Sequence, residues 1–359
     1  MANKIVRKDT SARKALKTVF LGMSGGVDSS LSAVLLKEQG YHVVGVYMKN
    51  WSRDLPGMKC PWAEDLADAK RVAVKLGIDF RVFDFETEYK QKVVDYMLAE
   101  FKKGRTPNPD IMCNQEVKFK LFYEVAREQG ADLIATGHYA QIAYLKDGHP
   151  QLARAVDENK DQTYFLYRIS EDALAHTLLP VGGMAKPEVK KLAAAKGLKN
   201  AYKKESMGVC FVGEVGIKDF LQEYFPKTPG PIVDADTGEK LGTHEGVVFY
   251  TIGQRNGLNL GGGLPYYVVR KDMKNNTVYV SRNLNSNDLW TSELELEDIV
   301  LRSDPPKDIE VRLRHRAPLI PAKLDGYKIS FAAPVKRPAS GQSAVFYSGN
   351  ICLGGGIIK

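Results

Sequence analysis

The run Ser24-Gly-Gly-Val-Asp-Ser-Ser30 sets two adjacent glycines among hydroxyl side chains and a carboxylate. Glycines at 25 and 26 let the backbone fold tightly enough for successive N–H groups to converge on one anion. A helix opening here adds the partial positive charge of its N-terminus, and Ser24, Ser29 and Ser30 add hydroxyl donors. The chemistry such a loop suits is the holding of phosphate. It lacks the lysine of G-x-x-x-x-G-K-[ST] and does not follow G-x-G-x-x-G, so neither of those nucleotide loops is present. The plainer alternative is a glycine-rich turn in which Asp28 or a serine caps a helix.

Cys113 ends the proline-stiffened run Thr106-Pro-Asn-Pro-Asp-Ile-Met-Cys113, which leads into a helix expected near Gln115. A helix N-terminus favours the thiolate, the form that does nucleophilic chemistry. The alternative is a small hydrophobe packed under a loop. Cys210 lies in Glu205-Ser-Met-Gly-Val-Cys-Phe-Val-Gly213, after Lys203 and Lys204, and carries the same two readings. Cys352 sits in an apolar strand and reads as core, while Cys60, beside Pro61 and Trp62, takes no assignment. The cysteines are 53, 97 and 142 residues apart and the six histidines are scattered, so no metal-ligand spacing is present. The N-terminal residues have no apolar signal core, which points to a reducing cytoplasm and free thiols.

These groups need a scaffold, and 359 residues at 44% hydrophobic supply more than one core. No apolar run approaches the length of a membrane-spanning helix, so no membrane partner is expected. Lys and Arg number 51 against 43 Asp and Glu, a net +8 compatible with a polyanionic partner but weak evidence for one. Strand and helix patterns alternate from residue 18 to 137: strands at 18–22, 41–48, 78–85 and 132–137, helices at 28–39, 63–76, 87–101 and 115–129. That rhythm predicts an α/β domain with a mostly parallel sheet covered by helices. Helices are expected over 161–195 and 217–225, then turns with short strands at 246–250 and 266–270. From about residue 298, alternating strands such as 310–314, 327–331 and 342–347 suit a small antiparallel barrel. The division expected is a basic extension at 1–16, a catalytic domain at 17–214, a small central β-rich module at 215–290 and a β-barrel at 291–359.

Ser-Gly-Gly-Val-Asp-Ser resembles the loop of the ATP pyrophosphatase superfamily. Those enzymes split ATP between its α and β phosphates, attach AMP to a substrate oxygen and displace it with a nitrogen or sulfur nucleophile. Further stretches narrow the likeness: Gly22-Met-Ser-Gly-Gly-Val-Asp-Ser-Ser30, Asn108-Pro-Asp110 with Cys113, Ala135-Thr-Gly-His-Tyr139 and Lys160-Asp-Gln162. Ser206-Met-Gly-Val-Cys-Phe211, Tyr250-Thr-Ile-Gly-Gln-Arg255 and Gly341-Gln-Ser-Ala-Val-Phe-Tyr347 complete the set. With them the chain, from Lys17 onward, resembles the tRNA-specific 2-thiouridylase family.

The resemblance implies an N-terminal domain like the adenine nucleotide alpha hydrolases, and 2-thiolation of the wobble uridine in tRNAs for Lys, Glu and Gln. ATP with Mg²⁺ would be held by Gly22, Met23, Ser24, Gly25, Gly26, Val27, Asp28 and Ser29, with Met48 and Gly137 at strand ends. Cys210 would carry a persulfide supplied by a cysteine desulfurase or sulfur-relay protein, Cys113 would be the nucleophile or resolving thiol, and Asp110 the acid/base. The tRNA anticodon arm would meet Asn108, Pro109, Asp110, His138, Lys160, Asp161, Gln162, Arg314, His315 and Gln342. His315 stands where the family usually has tyrosine, so a stacking contact there has a smaller ring. Arg312, Arg314 and Arg316 read either as an RNA-binding strand or as a solvated face. Two rivals remain: an AMP-forming synthetase or amidotransferase acting on a small metabolite, and a non-catalytic RNA-binding module that retains ATP.

Overall fold

The computed structural model describes residues 16–54, 60–203, 216–261 and 263–359; Cys210 and nearly all of the basic extension lie outside them. The chain opens with β1 (Thr18–Gly22), α1 (Val27–Glu38), β2 (His42–Lys49), α2 (Trp62–Leu76) and β3 (Asp79–Asp84). A helical rod follows, built from α3 (Glu86–Tyr89), a π-helical stretch (Lys90–Val94) and α4 (Asp95–Lys102). A second rod joins α5 (Pro109–Met112), the π-helical Cys113–Leu121 and α6 (Phe122–Glu128), and leads into β4 (Leu133–Ala135). Next come the hairpin β5 (Gln141–Tyr144) and β6 (Pro150–Ala153), α7 (Thr163–Leu166), α8 (Glu171–Ala175), β7 (Thr177–Leu178) and α9 (Lys186–Ala195).

Five strands form one parallel sheet in the order β3-β2-β1-β4-β7. β1 after Thr18 and β2 from Val43 to Tyr47 are buried, as strands covered on both faces must be, which explains their unbroken apolar runs. The chain builds outward from β1 to β3 and then returns to the other side at β4. The switch point therefore lies between β1 and β4, where open α/β sheets bind their ligands.

The central module holds α10 (Ile217–Gln222), β8 (Gly230–Asp234), β9 (Lys240–His244), β10 (Tyr267–Asp272) and β11 (Thr277–Ser281), with sheet order β10-β11-β8-β9. The strand expected at 246–250 is instead a 3-10 turn, Val247–Phe249. Val247, Val248, Phe249 and Tyr250 are all buried, so the run lacks the in-out alternation of a half-buried strand. Val247 N–H donates to the Asn276 side chain at 3.1 Å, which replaces a ladder partner.

β12 (Trp290–Leu301), β13 (Asp308–Arg312), β14 (Ile320–Asp325), β15 (Lys328–Lys336), β16 (Ser343–Ser348) and β17 (Ile351–Ile358) form an antiparallel barrel closed by the β12–β17 pairing. The hairpin β5–β6 joins the same sheet: Ala153 and Leu152 pair with Ile351 and Cys352 at the start of β17. A piece of the N-terminal half is thus hydrogen-bonded into the C-terminal barrel. β13 ends at Arg312, so Arg314 and His315 occupy the loop beyond it rather than the expected strand.

Candidate active site

The glycine-rich loop lies at the carboxyl end of β1, and α1 begins behind it with Gly26 as N-cap and no side-chain cap. The first N–H groups of this 12-residue helix are therefore not closed off by a capping side chain, the arrangement that suits an anion. Gly25 takes φ 75° and lies so close to the Asp65 carbonyl that an added Cβ would sit 2.5 Å from it. Ser24 N–H donates to Ser29 Oγ at 3.3 Å, and the Ser29 and Ser30 hydroxyls donate to the Gly26 carbonyl at 3.2 and 2.8 Å. Ser30 is thus a strut of the loop, while Ser24 is exposed. Asn200 braces the far side, its amide donating to the Gly25 carbonyl at 2.9 Å and to Ser30 Oγ at 2.8 Å.

Asp28 is held by a residue that sequence reasoning missed. Lys186 Nζ donates to both Asp28 oxygens at 2.7 Å, and the Tyr139 hydroxyl donates to one of them at 2.7 Å. Lys186 lies in the first turn of α9, far away in sequence. Its local sequence, Lys186-Pro187, signals a helix start and nothing about the loop it reaches.

Gly22, Met48 and Gly137 meet around the same strand ends. Met48 Cε lies 2.8 Å from where a Cβ on Gly22 would be, and a Cβ on Gly137 would lie 2.6 Å from Ser29 N. Gly137 is therefore the contact through which β4 fixes the opening turn of α1.

The second expected centre is the turn that carries Cys113. Asn108 caps α5, its Oδ1 accepting from Asp110 N–H at 3.1 Å and Ile111 N–H at 3.4 Å, with Pro109 at the first helical position. Asp110 is half-buried, and Cys113, at the start of the π-helical turn, is only 1% exposed. Asn114 donates to the Phe165 carbonyl at 3.2 Å and ties this rod to α7. His138, just past β4, lies with its ring 5.6 Å from that of Phe119 on the same rod. Burial, with the Lys118 charge behind it, holds His138 well below the usual histidine range, so it is neutral at pH 7. Cys210, the thiol expected to act with Cys113, lies outside the described residues. Burial pushes the Cys60 thiol up and that of Cys352 to about 12, which makes both core thiols rather than nucleophiles.

Of the residues expected to face RNA, Arg314 is exposed, as is Arg316, whose Nε donates to the Asn159 carbonyl at 2.9 Å. Lys160 is half-buried, its N–H donating to the Asp157 carboxylate at 3.2 Å. Asp161 is buried between domains, 2.8 Å from Arg312 and 3.6 Å from Arg154, and accepts from the Thr163 hydroxyl. Arg312 is accordingly buried too, and is neither an RNA contact nor a solvated strand face. Gln162 exchanges hydrogen bonds with the Tyr139 backbone, its side-chain oxygen accepting from Tyr139 N–H at 2.8 Å. His315 packs against Phe165 with ring centroids 4.5 Å apart; burial, then the Arg316 charge, lowers its pKa to about 4. Gln342 donates its amide to the Thr106 carbonyl at 2.6 Å.

Three family models match the chain in order: the tRNA methyl transferase HUP domain over residues 17–214, the tRNA methyl transferase PRC-barrel domain over 218–282 and the aminomethyltransferase beta-barrel domain over 291–358. The tRNA-specific 2-thiouridylase MnmA of Idiomarina loihiensis is 48% identical, covering 96% of this chain and 96% of its own. Those of Enterococcus faecalis and Listeria welshimeri are 46% and 47% identical, each over 95% of this chain and 94% of their own. A likeness of that depth over nearly the whole length settles the lineage: the chain belongs to the MnmA family of tRNA-specific 2-thiouridylases.

Proposed function

We propose that the chain is an ATP-dependent tRNA sulfurtransferase that replaces the C2 oxygen of the wobble uridine with sulfur in tRNAs for Lys, Glu and Gln. The observation that carries this reading is the likeness to 2-thiouridylases, at 46% identity or better across at least 95% of the chain. The uncapped start of α1 at the β1/β4 switch point supports the use of ATP. Among the described residues no helix is long and apolar enough to cross a membrane. The reactive cysteines suit a reducing cytoplasm. The division at 17–214, 215–290 and 291–359 serves as chemistry, spacer and RNA grip.

Mg·ATP enters as substrate. The loop N–H groups and Ser24 take the pyrophosphate, whose charge the accompanying Mg²⁺ offsets, beside Asp28 held by Lys186 and Tyr139. The uridine O2 attacks the α-phosphorus, the bond to pyrophosphate breaks, and C2 now bears an adenylate leaving group. Cys210 carries a sulfane sulfur from a desulfurase or relay protein. In one course the Cys113 thiolate attacks the Cys210 sulfur, forming a Cys113–Cys210 disulfide and releasing hydrosulfide, which adds at C2. In the other the terminal sulfur adds at C2 first, and Cys113 then attacks the Cys210 sulfur to free the product. Either way AMP leaves with the former C2 oxygen, and an external thiol reduces the disulfide. Asp110 handles the proton at the base, which must leave its stack to be reached. Arg314 and Lys160 supply cationic contacts to the anticodon arm.

The test is to incubate the protein with unmodified tRNA, Mg·ATP and a persulfide source, then analyse the nucleosides by mass spectrometry. The reading expects 2-thiouridine from wild type and none from Cys113→Ser or Cys210→Ser. It fails if wild type gives methylated or unchanged uridine, or if both variants keep full activity.

A further inference from the structure

The motifs Tyr250-Thr-Ile-Gly-Gln-Arg255 and Gly341-Gln-Ser-Ala-Val-Phe-Tyr347 carry no chemistry of their own, and the structure brings both to one residue, Thr106. Thr106 opens the run that holds Asn108, Asp110 and Cys113. All of its polar groups are bonded to other domains. Its N–H donates to the Ser340 carbonyl at 2.7 Å, and its carbonyl accepts from Gln342 at 2.6 Å. Its hydroxyl lies 3.3 Å from that of Thr251 in the central module. The fit is close because Gly341, at φ 88°, has no side chain; a Cβ there would lie 3.1 Å from Thr106 N. One residue earlier, Arg105 ion-pairs with Glu100 on α4 and with Glu297 on the barrel strand β12.

We infer that Gln342 and Thr251 are positioning residues that clamp Thr106 and thereby hold the Cys113 turn in register for sulfur transfer, an inference that rests on the function proposed above. The barrel and the central module then do more than grip RNA. They set the geometry of the reactive turn, through the amide of Gln342 on the Thr106 carbonyl. Proline at 107 and 109 makes the linkage stiff, since each fixes its own φ and restricts the residue before it. The Asn108 cap then carries the constraint into α5 and on to Cys113.

Because Cys113 is 1% exposed, its alkylation requires the helical turn that carries it to open, and the labelling rate follows the population of that opening. Losing one neutral hydrogen bond raises such a population about 2- to 13-fold. Gln342→Leu and Thr251→Val remove the donor or hydroxyl while keeping most of the volume. In the full-length protein each is treated with iodoacetamide and the labelled peptides are quantified over time, with Cys352, 0% exposed in the barrel, as the monitor of general loosening. The inference expects both variants to label Cys113 faster by that factor with Cys352 unchanged. It also expects kcat for 2-thiouridine formation to fall while tRNA Kd stays within twofold. It is overturned if Cys113 labels at the wild-type rate in both, or if Cys113 and Cys352 accelerate together. Weaker tRNA binding by Gln342→Leu with kcat intact would also overturn it, by making that residue an RNA contact. A wild type that forms no 2-thiouridine removes the proposed function, and the labelling ratio still decides the clamp.

Discussion

Gly137→Ala tests how the ATP loop is held. The added methyl would lie 2.6 Å from Ser29 N, 2.9 Å from Asp28 C and 3.1 Å from Asp28 Cβ, where ordinary contact begins near 3.4 Å. Two of those atoms are backbone, so no side-chain rotation relieves the clash, and the first turn of α1 must retreat from β4 by about 3.4 − 2.6 = 0.8 Å. Overpacking of this kind costs roughly 1–3 kcal/mol. A ligand that needs the undisplaced turn bears that cost on binding, which predicts an ATP affinity weaker by about 5- to 150-fold. Calorimetric titration with a non-hydrolysable ATP analogue measures it, with circular dichroism to show that the fold persists. Gly183→Ala is the control, since an added Cβ there meets nothing within 4 Å and its φ is not positive. Affinities within twofold of wild type for both variants would refute the view that β4 fixes this loop through Gly137.

Three further outcomes follow from the same contacts. Asp161→Asn leaves Arg312 and Arg154 without their shared buried carboxylate, and the midpoint of urea unfolding should fall by an amount equivalent to roughly 3–5 kcal/mol; an unchanged midpoint would show the pair to be idle. His315 has its pKa lowered from 6.5 to about 4, so the unfolded chain takes up the proton first as pH falls. Stability should therefore decline between pH 6.5 and 4, and His315→Phe should flatten that part of the pH profile of chemical denaturation. Arg314→Ala should weaken tRNA binding and make the slope of log K against log salt shallower by about one, measured by filter binding across salt concentrations.

Four strands of the parallel sheet were readable because they are short apolar runs separated by helices with clear stops, such as α2 ending at Gly77 in the left-handed conformation. The two-residue β7, by contrast, lies within 161–195, where helices were expected. The barrel was readable from alternation in segments such as β15. What escaped depended on distant partners. β5 and β6 have little strand character of their own, and the pairing that stabilises β6 comes from β17, about two hundred residues on. Lys186 reaches Asp28 across a similar gap, and nothing near Lys186 announces it. Asp161 and Arg312 illustrate the opposite difficulty. A carboxylate beside Lys160 and an arginine among arginines look like surface charge, and only the packing of the two domains shows that they satisfy each other in the interior. The same holds for Gln342, whose amide faces Thr106 because of where the barrel docks.

The central claim is that the C2 oxygen of uridine is activated by AMP and leaves with it. A tRNA anticodon stem-loop carrying ¹⁸O at C2 of the wobble uridine tests this most directly, with Mg·ATP and a persulfide source, by mass spectrometry of the released AMP and of the nucleoside. The account predicts one ¹⁸O in AMP for each 2-thiouridine formed and none in pyrophosphate. Label that stays in the uridine or passes to water or pyrophosphate while 2-thiouridine accumulates would contradict it.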